Sequence, residues 1–411
     1  MINTPKSNRL HISFFGKTNV GKSSLVNSLT NQSISVVSNI PGTTTDPVTK
    51  SMELLPLGPV VIVDTAGLND TSELGKLRIQ KSKEVIEKTD LAILVIAPDI
   101  GNNYIDFKDI SLEQMWINQL KKRNIPILGV INKIDILFDE YQLLNNKLLK
   151  QLNIPFICTS TKRKDTIEIL KQNIVNYAPF DFEQPTIIGD IVSSKSLVLL
   201  VAPQDIQAPK GRLILPQVQI IRDLLDNNTI VITVKDTELI STLNVLNKKP
   251  DLVITDSQKF KYVNKILPKD IPLTSFSILM ARYKGDLSIL VEGAKTLDKL
   301  MPNDKILIAE ACTHHALKGD IAREQLPKLL KTKYKNIEIV NISGCDYPSN
   351  LKEYKLIIQC GSCMFTRKQV MNRLIKAKAN NVPITNFGIA LSYLNNILIR
   401  TTEIFPEIKK H

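Results

Sequence analysis

Short apolar runs alternate with amphipathic stretches along most of this chain. From about residue 9 to 178 the runs "HISFF", "VVIVDTAG", "LAILVIA", "IPILGVINK" and "IPFICTS" read as buried strands, and most are separated by stretches with apolar positions at helical spacing. That alternation predicts a mostly parallel sheet with helices on both faces. The segment "NYAPFDFEQPTIIGD" breaks the periodicity with two prolines, so a domain boundary is expected near 178–186. A second set follows, with "LVLLVAP", a helix "QVQIIRDLLDN" after Pro216, "TIVITV", "TELISTLNVL" and "DLVIT". A third begins near 270 and runs through "KILIAEAC", "IEIVNIS" and "KLIIQC" to a long helix from about 366 to 380. The expected fold class is α/β, with a first domain over 1–180 and two smaller αβ domains over 186–268 and 269–411.

Composition narrows this picture. A chain of 411 residues is too long for one ordinary core, and each domain is large enough to fold by burial alone. Five cysteines, with no N-terminal pairing of basic residues and an apolar run, point to a reducing cytoplasm, where clustered thiols suggest metal before disulfide. The longest apolar runs, at 91–97 and 197–202, fall far short of the ~20 residues that cross a bilayer, so no membrane segment is expected. The net charge is +13, yet the lysines are interspersed with acids, as in "KSKEVIEK" and "KTKYKNIE", and read as solvated faces. With one Trp and few other aromatics there is little sign of a base-stacking platform, and no specific nucleic-acid partner is expected.

The first domain carries a phosphate-binding pattern. "GKTNVGKSS" at 16–24 fits G-x-x-x-x-G-K-[ST] and stands between an apolar strand and a helix, where the mechanism needs it. Gly16 and Gly21 let successive backbone N–H groups turn toward a polyphosphate, with Asn19, Val20 and Ser24 in the same loop and helix start. Lys22 supplies charge to the β and γ phosphates and Ser23 a hydroxyl to Mg²⁺. "DTAG" ends a strand, which sets Asp64 at the sheet edge behind the Mg²⁺ and lets Gly67 turn its N–H toward a γ-phosphate. In "IPGTTTD", Thr44 is the chosen metal ligand that senses the γ-phosphate, with Thr43 beside it. Base identity falls to "NKID": Asp135 can accept from both N1–H and the exocyclic amine of guanine, Lys133 can lie along the ring, and Asn132 precedes them. "TSTK" adds Ser160 and Thr161 near the base. Four motifs in this order, each at a strand end, predict GTP binding.

Across about 170 residues these motifs resemble the translation-factor-like GTPases related to tRNA-modification and ribosome-assembly enzymes. Leu68 stands where Ras-type enzymes carry a water-orienting Gln, so hydrolysis is organised otherwise. The potassium-activated relatives hold K⁺ with a P-loop Asn and a loop ahead of the switch threonine; Asn19 and the backbone around Ser38 to Ile40 match those positions. The resemblance implies slow, K⁺-stimulated GTP hydrolysis, with Lys22, Asn19, Thr43 and Gly67 in the catalytic roles. The acidic water-orienting residue of some relatives has no clear counterpart, Glu73 being a weak candidate.

Thiols gather in the third domain. "EACTHH" brings Cys312 and His314 just past one strand, and "QCGSCM" brings Cys360 and Cys363 just past another. Ligand sites of parallel sheets collect at such C-terminal strand ends. C-x-x-C spacing suits tetrahedral Zn²⁺ or an iron–sulfur cluster, and the residues leave both open. Cysteine is also a small core hydrophobe, which is the reading given to Cys158 and Cys345.

A GTPase, a middle αβ unit and a C-terminal C-x-H … C-x-x-C domain together resemble one family over the whole chain, the [FeFe]-hydrogenase maturation GTPases of the HydF type. The resemblance implies a homodimer in which Cys312, Cys360 and Cys363 hold a [4Fe–4S] cluster. It further implies a scaffold that carries a diiron precursor, made with radical-SAM partners, to apo-[FeFe]-hydrogenase. Many relatives have His before the C-x-x-C; here it is Gln359, a poor iron ligand, which leaves the fourth iron to water, a carboxylate, the incoming diiron unit, His314 or His315. The alternative is a Zn²⁺-binding GTPase of tRNA modification or ribosome assembly, which calls for a KH-type GXXG loop or a basic aromatic sheet; neither is found after residue 180.

Overall fold

The computed structural model describes residues 6–30, 47–65, 84–101, 104–106, 109–136, 141–179, 186–203, 213–311, 320–344, 347–348 and 350–408. Contacts divide the chain into two units, Met1–Gln184 and Pro185–His411.

The first unit runs β1 (Leu10–Phe15), α1 (Lys22–Thr30), β2 (Val48–Leu54), β3 (Gly58–Asp64), β4 (Leu91–Ile96), a short antiparallel pair β5 (Asp99–Gly101) and β6 (Tyr104–Asp106), α2 (Ser111–Lys121), β7 (Ile127–Ile131), α3 (Tyr141–Leu152), β8 (Phe156–Cys158) and α4 (Lys164–Tyr177). Its main sheet has the order β2-β3-β1-β4-β7-β8, parallel except where β2 runs against β3. Strands β1 and β4 are buried throughout, because parallel strands in the middle of a sheet have helices on both sides. Leu10, Ile12 and Phe14 pack to one face with Leu25, Val26, Ile167 and Leu170. Phe15 points to the other and stacks on Trp116. Strand β2 did not stand out in the apolar pattern, since "VTKSMEL" is an edge strand with only Lys50 and Leu54 fully covered.

The second unit runs β9 (Leu197–Val201), α5 (Leu215–Asp226), β10 (Ile230–Val234), α6 (Leu239–Val245), β11 (Leu252–Thr255), α7 (Phe260–Ile266), β12 (Leu273–Ser275), α8 (Phe276–Lys284) and α9 (Leu287–Ala294). It continues with β13 (Lys305–Glu310), α10 (Leu326–Lys333), β14 (Glu338–Ser343), β15 (Leu356–Gln359), α11 (Arg367–Ala379), β16 (Ile384–Asn386), α12 (Phe387–Leu394) and α13 (Leu398–Thr402). Two all-parallel sheets result, in the orders β10-β9-β11-β12 and β14-β13-β15-β16. The first sheet reaches past residue 268, because β12 at 273–275 pairs with β11.

Both sheets feed one core. Val198, Leu200 and Ile254 from the first, and Leu307, Ile357 and Ile384 from the second, join Ile278, Leu279, Leu287 and Leu290 of α8 and α9. Each such side chain, taken fully out of water, stabilises the fold by about 1.5–3 kcal/mol. Polar clips hold the edges of this packing. The Asp223 carboxylate accepts from the N–H groups of Ile187, Ile188 and Gly189 and from the Thr186 hydroxyl, fastening the start of the unit to α5. Arg282 donates to Asp190 and to Glu407, tying α8 to both ends of the unit. No helix among the described residues is long and apolar enough to cross a membrane.

Candidate functional site

The phosphate loop lies where β1 hands over to α1. Gly16 has φ +149°, and a Cβ there would meet the Val95 carbonyl oxygen at 2.3 Å, so β4 passes too close for any side chain. Asn19 takes a left-handed backbone, φ +63°. Gly21, at φ +93°, faces Asn132, whose side-chain nitrogen would lie 2.3 Å from an added Cβ. That closeness has a cause: Asn132 Nδ2 donates to the Val20 carbonyl at 2.9 Å, and Lys133 Nζ donates to the Asn19 carbonyl at 2.6 Å. The "NKID" segment thus fastens the phosphate loop directly.

Lys22 is buried at the start of α1, its ammonium donating to the carbonyls of Gly16 at 2.9 Å and Lys17 at 2.6 Å. Burial pushes it down from 10.5 to about 8, and the charge of Asp64 pulls the other way. Ser23 donates its hydroxyl to Asp64 Oδ2, while the buried Oδ1 has no hydrogen-bond partner among the described residues. Burial raises the Asp64 carboxyl, against the Ser23 bond and the charges of Lys22 and Lys50. A carboxylate aimed at a serine hydroxyl beside a lysine ammonium is chemistry suited to a hydrated divalent cation on a polyphosphate. Lys50, from edge strand β2, was not anticipated. Nothing marks a lysine on a polar strand as facing the sheet edge of Asp64.

At the base end, Ser160 donates to Asp135 Oδ1 at 2.6 Å and Lys162 Nζ sits 2.8 Å from Oδ2. These two bonds, Lys162 first, hold the Asp135 carboxyl below the usual carboxylate range. Thr159 Oγ1 donates to Asn132 Oδ1 at 3.4 Å, so "NKID" and "TSTK" form one network. Lys162, which closes the "TSTK" motif, thus serves as the salt-bridge partner of Asp135. Ser24 lies in α1 and Thr161 is exposed in the turn after Ser160. Ser38, Thr43, Thr44, Gly67, Leu68 and Glu73 lie outside the described residues.

The thiol turn lies in the second unit. Cys360 follows β15, and its N–H donates to the Ala309 carbonyl at 2.9 Å, continuing the pairing of β13 with β15. Its Sγ accepts from Ala311 N at 3.1 Å and Ser362 N at 3.4 Å. Burial raises the Cys360 thiol and these N–H groups draw it back. Ser362 takes a left-handed backbone, φ +53°, which turns the chain between the two cysteines. After Cys363 a capping box opens α11: Thr366 Oγ1 accepts from Gln369 N, and Gln369 Oε1 from Thr366 N. Cys312, His314, His315 and Cys345 lie outside the described residues. Gln359 is buried, with Oε1 unpartnered among the described residues. Cys158 packs against the core of the first unit, and burial pushes its thiol to about 11, as suits a structural cysteine.

Two cations that the pattern did not reveal surround this turn. Lys284, last residue of α8, donates to the carbonyls of Ser362, Cys363 and Phe365 at 3.3, 2.9 and 2.7 Å. Burial pushes it down to about 8, against the pull of Cys363 and Cys360. Arg373 of α11 lies between the rings of Tyr347 and Phe365, 4.7 and 4.5 Å from their centroids, and donates through Nη2 to the Gly344 carbonyl. The only signal was a lysine closing the apolar helix "FSILMARYK", which reads as an ordinary helix C-terminus.

The first unit is by fold and motif a P-loop GTPase domain, and residues 11–133 match the family model described as 50S ribosome-binding GTPase. Residues 187–285 match the hydrogen maturase F dimerization domain and 288–404 the hydrogen maturase F tetramerization domain. Together these two cover more than half of the chain, which belongs to the hydrogen maturase F family. The thiol turn falls in the region matched as the tetramerization domain.

Curated relatives match over the first unit. The tRNA modification GTPase MnmE of Carboxydothermus hydrogenoformans is 37% identical over 165 residues, 39% of this chain and 32% of the relative. That of Prochlorococcus marinus is 36% identical over 154 residues, 37% of this chain and 31% of the relative. The chain thus spans about a third of the length of the curated relatives it matches. Among solved structures, Era of Aquifex aeolicus bound to GDP and AlF4⁻ is 18% identical, covering 62% of this chain and 97% of that one, at a TM-score of 0.36. The FeoB G-domain of Methanococcus jannaschii gives 23%, 41%, 97% and 0.30. Likenesses this slight bear no weight for function.

Proposed function

We propose that this protein is a GTP-hydrolysing scaffold that holds a [4Fe–4S] cluster on Cys312, Cys360 and Cys363 and carries a diiron precursor to apo-[FeFe]-hydrogenase. The single observation that carries the cluster reading is the bond from Ala311 N to Cys360 Sγ, which sets the chain neighbour of Cys312 against the C-x-x-C turn. N–H groups aimed at a sulfur are a feature of iron–sulfur ligation, and the chemistry of a three-thiol donor set fits the group. A cluster held by three thiolates supplies one exchangeable iron position where cargo can attach. This chain's residues do the rest: Ser362 turns the backbone, Lys284 clamps the carbonyls of the turn, and Gln359 offers no strong fourth ligand.

In the GTPase domain, Lys22 neutralises the β and γ phosphates, Ser23 and Thr44 hold Mg²⁺ with Asp64 behind, and the Gly67 N–H meets the γ-phosphate. Asp135, oriented by Ser160 and Lys162, reads guanine. Asn19 and the backbone at Ser38 take K⁺, which supplies the charge that hydrolysis needs, and turnover is slow. The first unit takes the nucleotide function, the sheet that ends with β12 the dimer function and the sheet from β13 onward the cluster function, and radical-SAM maturases load the cargo. Nucleotide state biases partner association.

Anaerobic purification tests the reading. A brown protein with broad visible absorption and an EPR signal on reduction is expected. Colourless protein with stoichiometric zinc would transfer the case to the zinc-binding GTPase. Hydrolysis assayed in KCl against NaCl tests the ion, with faster turnover expected in K⁺.

A further inference from the structure

The surroundings of the thiol turn contain an imbalance of charge. Lys284 is 2% exposed and Arg373 4% exposed, yet neither has a carboxylate within ion-pair reach among the described residues. Glu310, the buried acid at the end of β13, is taken by Arg323 at 2.9 Å. Lys284 meets three carbonyls. Arg373 meets one carbonyl and two ring faces, and its Nη1 is buried with no hydrogen-bond partner among the described residues. Buried charges are strongly destabilising without a counter-charge, and buried polar atoms left unpaired add to that cost. Phe365, on which Arg373 stacks, packs with Ala311, Val370 and Cys360. Lys284 thus reaches the turn itself from α8, and Arg373 reaches from α11 to Phe365, which packs with Cys360.

We propose that Lys284 and Arg373 form a cationic seat for the anionic metal–thiolate assembly on this turn. Lys284 is the positioning residue that holds the turn through its carbonyls, and Arg373 Nη1 is the donor to the bound anion. The inference deepens the cluster reading and rests on it. A [4Fe–4S] core on three thiolates is anionic and gains a further negative charge on reduction, so a neighbouring cation favours the reduced form. The seat thus sets the potential and the retention of the cluster.

The test uses full-length protein reconstituted anaerobically with iron and sulfide. The variants are Arg373→Gln, Arg373→Lys, Lys284→Met and Lys284→Arg, each checked for folding by circular dichroism. Readouts are iron content, midpoint potential by EPR-monitored titration, and cluster half-life under a chelator. Arg373→Gln is expected to keep its iron and shift the midpoint to more negative potential, with Arg373→Lys returning most of the shift. Lys284→Met is expected to shorten the chelator half-life about tenfold, with Lys284→Arg restoring part. Where Lys284→Met does not fold, Arg373→Gln against Arg373→Lys decides. Coloured wild type with unchanged potential and half-life in the folded variants overturns the seat and leaves the cluster reading standing. Colourless wild type overturns both.

Discussion

The phosphate loop and the thiol turn use charge in opposite ways. In the first unit opposite charges sit together: the buried Lys22 ammonium, bonded to the carbonyls of Gly16 and Lys17, feels the charge of Asp64, and Asp135 is paired with Lys162. At the turn, Lys284 and Arg373 share no such partner among the described residues. A balanced site can fold around itself and wait for a ligand that exchanges. An unbalanced one is completed by the ligand, which suits a group that stays.

Substitutions can break this contrast, the largest effect first. Cys360→Ser should reduce bound iron from a full cluster to background, as judged by iron and sulfide assay; retention of full iron would remove Cys360 from the ligand set. Lys22→Ala should weaken GTP binding about 10²–10³-fold by calorimetry, because it truncates a buried charge that meets phosphate.

Acidity sharpens the contrast. Lys22 lies near 8 against an ordinary 10.5, so between these values the folded protein binds fewer protons than the unfolded chain. Its unfavourable contribution to stability is full below about pH 8 and is relieved as pH rises toward 10.5. Phosphate favours the ammonium, so GTP affinity should fall above about pH 8, by up to about tenfold per unit, with proton uptake on binding seen in buffers of different ionisation heat. Affinity that stays level from pH 8 to 10 would show that Lys22 is charged throughout.

Smaller effects follow. Gly21→Ala sets a methyl against Asn132 in a left-handed backbone and should cost about 1–3 kcal/mol, read by denaturant unfolding of the first unit. Lys162→Ala removes an exposed partner of Asp135 and should change GTP affinity by less than about threefold; a larger loss would mean that Lys162 touches nucleotide.

Much of this was legible in the sequence. Strands such as "LAILVIA" are continuous apolar runs because both faces are covered, and the P-loop glycines are required by the close passes of Val95 and Asn132. Edge strand β2 was hidden because only one face is buried. Lys50, Lys284 and Arg373 were hidden for a different reason: their partners lie across the fold, Lys284 reaching residues 78 to 81 positions away. Residue type and local spacing carry no mark of such a meeting.

The two bonds from Asn132 and Lys133 to the carbonyls of Val20 and Asn19 also bear on the order in which the chain matures. A nascent chain that has released only its first hundred residues holds the whole phosphate-binding motif, with the bonds of Lys22 and Ser23, but lacks the two from Asn132 and Lys133. The loop reaches its fully fastened form only once β7 and the residues that follow it have emerged and docked.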